Sequence, residues 1–222
     1  HEINEPLGGI LGFAQLLAKT PNLPEQARRD VARIEAAVLH AREIIRQLMT
    51  FARQTPPHGR RVDLNRLVQD SADIWLPRCD AEGVRPEYAL DPTLPEILAD
   101  AGQLRQLVTN LVVNAVQAMP GGGRLRIATR REPDAICLII SDTGRGIAPD
   151  ILPRIFDPFF TTKDVDQGTG LGLAVAHGIV AGHQGKIAVE SRPGHGTTIT
   201  VRLPARNPNA RPLARGGNHG QA

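Results

Sequence analysis

Apolar residues recur along this chain at two different periods. Residues 1–19 place Ile3, Leu7, Ile10, Ala14 and Leu17 at alternating steps of four and three, and residues 24–53 repeat the pattern with Val31, Ile34, Val38, Ala41, Ile45, Leu48 and Ala52. Such spacing is a heptad seam on a helix. Pro21-Asn22-Leu23-Pro24 separates the two helices, which predicts an antiparallel hairpin. A lone hairpin cannot bury both seams, so two copies are expected to pair into a four-helix bundle. The segment Gln54–Arg60 then breaks the period and reads as a linker. Beyond it helical and strand periods mix. Helices are predicted over 64–82, 101–119 and 170–182, and strands over 85–90, 96–99, 123–130, 135–141, 185–190 and 197–203. This mixture predicts a two-layer α/β sandwich. The expected organisation is a hairpin at 1–53, a linker at 54–61, the sandwich at 62–204 and a disordered tail at 205–222.

Composition changes the picture in two places. The 222 residues carry 26 basic and 23 acidic side chains, but Arg206, Arg211 and Arg215 lie in the tail, which has no acids. Removing them leaves 26 − 3 = 23 basic against 23 acidic residues, so the body is neutral and a nucleic-acid face is not expected. The apolar runs are shorter than the roughly 20 residues of a membrane helix, so membrane contact by this segment is not expected either. Cys79 and Cys137 lack metal-ligand spacing and read as reduced thiols, which suggests a cytoplasmic segment. The chain starts at a histidine without a signal peptide, as expected of a piece of a longer protein.

The candidate chemistry is concentrated in a few short runs. His1 lies two residues before Ile3 and so faces away from the seam, where a second domain can reach it. Glu2 is placed to accept its ring proton, and Pro6, which cannot donate to the Glu2 carbonyl, predicts a bend beside His1. Within the run NLVVNA, Asn110, Asn114 and Gln117 share one helix face, a stripe of amides suited to a hydrated Mg²⁺. Asp142 follows a strand and opens DTGRGI; it can accept a hydrogen bond from an adenine amino group, while Gly144 and Gly146 let the backbone pass close to the base. Gly168, Thr169, Gly170, Leu171 and Gly172 open a helix whose unpaired N–H groups favour phosphate oxygens. Between these runs, Phe156-Asp-Pro-Phe-Phe160 reads as an anchored hinge beside a mobile cover, with Lys163 available to the phosphates. Gly194-His195-Gly196-Thr197 turns the chain into the last strand.

Taken in order, these runs resemble the catalytic core of a two-component sensor histidine kinase. His1-Glu2-Ile3-Asn4-Glu5-Pro6-Leu7 is similar to that family's phosphoacceptor box, and NLVVNA, DTGRGI, FDPFF, GTGLGL and GHGT to its N, first glycine, F, second glycine and third glycine boxes. The match spans about residues 1–203. The resemblance implies a dimerisation and phosphotransfer hairpin followed by an ATP-binding domain of the gyrase, Hsp90, histidine kinase and MutL type. It implies His1 as phosphoacceptor, Glu2 as proton acceptor, Asn114 as Mg²⁺ ligand with Asn110 assisting, Asp142 as the adenine partner, and the glycines as the walls of the ATP site. ATP and Mg²⁺ are the implied cofactors. The implied partners are a second copy of the chain and the receiver domain of a response regulator, which would take the phosphoryl group onto an aspartate.

One departure alters an expectation. The family usually has Asn or Thr four residues after the histidine, where it positions water to dephosphorylate the regulator; here the residue is Glu5. A carboxylate cannot donate as an amide does, and its charge opposes an approaching phosphoryl group, so weak phosphatase activity is expected. Two rival functions bear on the same boxes. ATP hydrolases of the shared fold generally place a glutamate base four residues before the metal-binding asparagine, a position held here by Asn110, which cannot serve as a base. A nucleotide-binding scaffold without transfer chemistry would bind ATP and never label His1.

Overall fold

The computed structural model describes residues 3–52, 59–162 and 169–205. The chain divides into two compact units, one of residues 1–55 with 156–175 and one of residues 56–155 with 176–222.

In the first unit α1 (Asn4–Ala18) and α2 (Glu25–Ala52) fold back on each other. Pro6 sits in the first turn of α1, where a missing N–H costs no helical hydrogen bond. The predicted bend beside it falls on His1 and Glu2, outside the described residues. Asn22 takes a left-handed φ of 59° to reverse the chain, and Pro24 accepts the Arg28 N–H as α2 begins. The seam read from the sequence divides in two. Ala14, Val31 and Val38 are buried and Leu7 is half-buried, while Ile10 (46% exposed), Leu17 (51%) and Ile34 (44%) point outward. Each helix therefore has an inner stripe that closes the hairpin and an outer stripe left uncovered.

The second unit opens with β1 (Arg60–Val62), which pairs antiparallel with β3 (Ile97–Ala99). Arg60 and Arg61, expected in the linker, are thus strand residues. Three residues are too few for a periodic signal, and this pairing depends on a partner far along the chain. Asp63 caps α3 (Leu64–Asp70) by accepting the Arg66 N–H at 3.0 Å, and α4 (Ala72–Glu82) follows. The single helix expected over 64–82 is interrupted at Ser71, whose hydroxyl donates to the Leu67 carbonyl at 2.6 Å. Such back-bonding bends helices. Gly83 then ends α4 in the left-handed conformation.

A five-stranded sheet of order β2-β4-β5-β7-β6 forms the floor of this unit. It contains β2 (Val84–Ala89), β4 (Gly123–Arg131), β5 (Ala135–Asp142), β6 (Lys186–Ser191) and β7 (Thr197–Pro204). β2 runs parallel to β4, and the other neighbours are antiparallel. Alternation puts Leu125, Ile127, Ile136, Leu138, Ile140, Ile199, Val201 and Leu203 on one buried face, while Arg124, Arg126, Arg130 and Arg202 lie exposed on the other. Over the buried face lies α5 (Ala101–Gln117), with α4 against α5 and β2. Leu104, Leu107, Val108, Leu111 and Trp75 fill the layer between. Two layers, one helical and one sheet, agree with the predicted sandwich. The last helix, α6 (Gly172–Gly182), precedes β6.

Candidate nucleotide site

The site in the second unit is built at the C-terminal end of α5. Asp100 starts that helix by accepting the Gly102 and Gln103 N–H groups at 2.9 and 3.1 Å. Its apolar residues then face the sheet, which turns the predicted amide stripe to one side. Asn110 is buried, and Asn114 and Gln117 are half-buried. The Asn114 amide has no hydrogen-bond partner among the described residues. One turn later the Ala118 carbonyl accepts the Arg145 N–H at 3.0 Å, and Thr143 N–H donates to the Arg124 carbonyl at 3.2 Å. The loop after β5 is thereby seated on the end of α5, so Asp142 and Asn114 are brought to the same corner of the fold.

Asp142 ends β5 with its two carboxylate oxygens in different states. Oδ1 accepts the Gly144 N–H at 2.8 Å and the Thr197 N–H at 3.2 Å. Oδ2 has no partner among the described residues. Burial pushes the Asp142 carboxyl above its ordinary range, and the two backbone donors from Gly144 and Thr197 pull it partly back. The result is a fixed carboxylate with one open acceptor atom. Gly146 follows with φ of 68°, and a Cβ there would collide with the Arg192 carbonyl. That close approach explains why the turn requires glycine. Gly194 N–H donates to the Arg145 carbonyl at 2.8 Å, which binds the two glycine turns together.

The second glycine run belongs to the first unit. Thr169 Oγ1 accepts the Leu171 N–H at 3.2 Å, the Gly170 carbonyl accepts the Phe159 N–H at 3.1 Å, and Val175 N–H closes the first helical turn on the Leu171 carbonyl at 2.8 Å. Gly170 has φ of 66°, and a Cβ there would meet the Phe159 backbone. Leu171 is buried, and Gly172 is the first residue of α6. Phe159 is 61% exposed with a left-handed φ of 66°, unusual for an aromatic residue, whereas Phe156 and Phe160 are half-buried. Glu5 is exposed in the first turn of α1. His1, Glu2, Lys163 and Gly168 lie outside the described residues.

The sequence did not single out two residues that hold this architecture. Ser191 accepts the Ile147 N–H at 2.8 Å and donates to the Gly196 carbonyl at 2.9 Å, joining turns 44 residues apart. His183 is buried, with Nδ1 2.8 Å from the Ile179 carbonyl and Nε2 accepting the Asp100 N–H at 3.1 Å. It fastens the residue after α6 to the cap of α5. Both look like ordinary polar residues in the sequence, because their partners come from distant elements.

Comparison with known proteins gives this arrangement its family. Residues 1–57 match the model of the His Kinase A (phospho-acceptor) domain, and residues 99–207 match that of the histidine kinase-, DNA gyrase B- and HSP90-like ATPase. Sensor histidine kinase ZraS of Escherichia coli strain K12 is 34% identical over 204 residues, covering 92% of this chain and 43% of that protein. Signal transduction histidine-protein kinase AtoS of the same strain is 38% identical over 208 residues, covering 92% of this chain and 33% of its own length. Full-length ShkA, solved in complex with AMPPNP, superposes with a TM-score of 0.81 at 31% identity, covering 92% of this chain and 44% of that one. The chain belongs to the two-component sensor histidine kinases and comprises their catalytic core. It spans less than half the length of these relatives. Among the described residues no helix is long and apolar enough to cross a membrane.

Proposed function

We propose that this chain binds ATP with Mg²⁺ and moves the γ-phosphoryl group to His1, from which an aspartate of a response-regulator receiver domain takes it. The observation that carries this reading is Asp142. Its Oδ1 is immobilised by two backbone N–H groups while its Oδ2 remains open, as a base-binding acceptor requires. The donor set fits a metal held mainly by the nucleotide's own phosphates. Asn114 would supply a neutral oxygen and Asn110 would assist; a hydrated Mg²⁺ needs few protein ligands. The metal would neutralise charge on the triphosphate. The backbone of Gly168, Thr169, Gly170, Leu171 and Gly172 at the start of α6 would orient the phosphates, with Lys163 available to pair with them.

In the transfer step a ring nitrogen of His1 forms a bond to the γ-phosphorus as the bond to the β–γ bridging oxygen breaks, and ADP leaves. Glu2 accepts the ring proton. Little covalent chemistry is left to the protein, so positioning and charge neutralisation supply most of the rate. The domain reading is a phosphotransfer hairpin at 1–53, a linker expected at 54–61, of which Arg60 and Arg61 are paired into β1, that allows the ATP domain at 62–204 to reach His1, and a tail at 205–222. The exposed outer stripe of Ile10, Leu17 and Ile34 supports a homodimer through the hairpin, since burial of such residues is worth about 1.5–3 kcal/mol each. A cytoplasmic placement of this segment accords with that reading.

The test is incubation with γ-labelled ATP and Mg²⁺, followed by measurement of acid-labile, alkali-stable label on the protein. Label is expected on the parent chain and absent from His1→Gln and Asn114→Ala. Label that survives His1→Gln would move the acceptor elsewhere. ATP binding without label would leave a nucleotide-binding scaffold.

A further inference from the structure

Ser191 stands in a hydrogen-bond arrangement that leaves no freedom in its hydroxyl. A serine hydroxyl has one hydrogen to give and two lone pairs to receive. The hydrogen goes to the Gly196 carbonyl at 2.9 Å, because a carbonyl can only accept. One lone pair takes the Ile147 N–H at 2.8 Å. The remaining contact is with Thr197 Oγ1, also at 2.9 Å, and in it Thr197 has to be the donor. Thr197 has therefore spent its only hydroxyl hydrogen on Ser191, and what it can offer elsewhere is lone pairs alone.

The direction of that bond matters because of where Thr197 sits. It is buried and lies directly opposite Asp142 in the β5–β7 register, with its N–H on Asp142 Oδ1. Residues paired in register point to the same face of the sheet. The two side chains that this register places together on one face are thus both acceptors, a carboxylate with an open Oδ2 and an oriented hydroxyl. We propose that Ser191 is a specificity-positioning residue: by fixing Thr197 as an acceptor it makes this pocket select a purine that presents an amino donor and reject one that presents a carbonyl. This rests on the nucleotide-binding reading above and deepens it. Without Ser191 the Thr197 hydrogen is released, and it can turn to a purine carbonyl or to Asp142 itself. Either turn weakens the preference for the amino group.

The test is the ratio of dissociation constants for AMPPNP and GMPPNP with Mg²⁺, measured by titration calorimetry on the full chain, with thermal melting to verify folding. The parent is expected to favour AMPPNP. Ser191→Ala should raise that ratio about tenfold, toward one, the size of one misdirected hydrogen bond. Ser191→Thr, which keeps a hydroxyl, should restore it. In a Thr197→Val background the effect of Ser191→Ala on the ratio should vanish, since no hydroxyl remains to be redirected. An unchanged ratio in folded Ser191→Ala, or a change that persists with Thr197→Val, would overturn the proposal and leave nucleotide binding intact. A parent that binds neither analogue would overturn the nucleotide reading itself. Should Ser191→Ala fail to fold, Thr197→Val alone decides: weaker AMPPNP binding with no gain for GMPPNP is expected, and unaltered binding of both would refute the role.

Discussion

The hairpin and the corner around Asp142 are finished to different degrees. Around Asp142 the polar atoms are closed on one another: Gly144, Thr197, Ser191, Ile147 and Gly196 exchange hydrogen bonds of 2.8–3.2 Å, and an open acceptor remains at Oδ2. The hairpin buries Ala14, Val31 and Val38 but leaves Ile10, Leu17 and Ile34 half in water. The first region is complete as one chain and waits for a small donor. The second is incomplete as one chain and waits for an apolar surface. Regions with such different needs should fail separately, and that separation can be tested.

The largest effect is expected where the site depends on a charge. Asp142→Asn replaces the open carboxylate oxygen with an amide, and a hydrogen bond to a charged group is worth about 1.5–3 kcal/mol. Affinity for AMPPNP should fall by roughly ten- to 150-fold. The oligomeric state, read by sedimentation-velocity ultracentrifugation, should not change. A coupled loss of both would show that the two regions are not independent.

A converse change belongs to the hairpin. Ile10→Lys with Ile34→Lys puts two charges on the outer stripe and leaves the inner residues untouched. Dimer dissociation should strengthen by at least tenfold, from the loss of about 1.5–3 kcal/mol of burial per side chain. Sedimentation equilibrium checks this, and calorimetry should find AMPPNP affinity within about twofold of the parent. A dimer indifferent to both substitutions would place its interface elsewhere. A smaller change concerns Glu5, exposed in the first turn of α1 four residues after the proposed phosphoacceptor. With the parent, decay of a phosphorylated receiver domain should be slow, and Glu5→Asn should accelerate it severalfold by replacing charge repulsion with an amide donor. Strong decay in the parent that Glu5→Asn does not increase would refute this.

Much of this contrast was legible in the sequence, and its limits follow from distance along the chain. The heptad seams located α1 and α2, and alternation located β4, β5 and β7, because those signals arise within one element. Asp142, Gly144 and Gly146 were legible because an acid and two glycines after a strand form a local turn. The division of the seam into inner and outer stripes was not, because Ala14 and Ile10 differ only in what the other helix covers. The break at Ser71 was hidden by an uninterrupted apolar period on either side of it. β1 was hidden by its need for β3, nearly forty residues on. Ser191 was hidden for the same reason: a serine at a strand end has no signal until Ile147 and Thr197 are placed around it.

The smallest expected effect separates Asp142 from the other perturbed carboxyls by the sign of its pH dependence. Asp142 ionises at 3.8 under ordinary conditions and higher in the fold, because burial disfavours its charge. Between those two values the folded chain keeps a proton that the unfolded chain has lost, so stability falls as pH rises through that window and levels above it. Asp91 and Glu132 act oppositely. Hydrogen bonds from Thr93 hold Asp91 below 3.8, and those from Cys137 and Arg202 hold Glu132 below 4.5. Their contribution is present above the ordinary values and is lost as pH falls through the lower folded ones. Thermal melts of parent and Asp142→Asn from acid to neutral pH should therefore share an acid limb. The difference between them should shift steadily in favour of the variant as pH rises above 3.8, and become constant once Asp142 is ionised in the fold. A difference that shrinks over that interval would mean that Gly144 and Thr197 outweigh burial, and that the open oxygen of Asp142 is stabilised without any ligand.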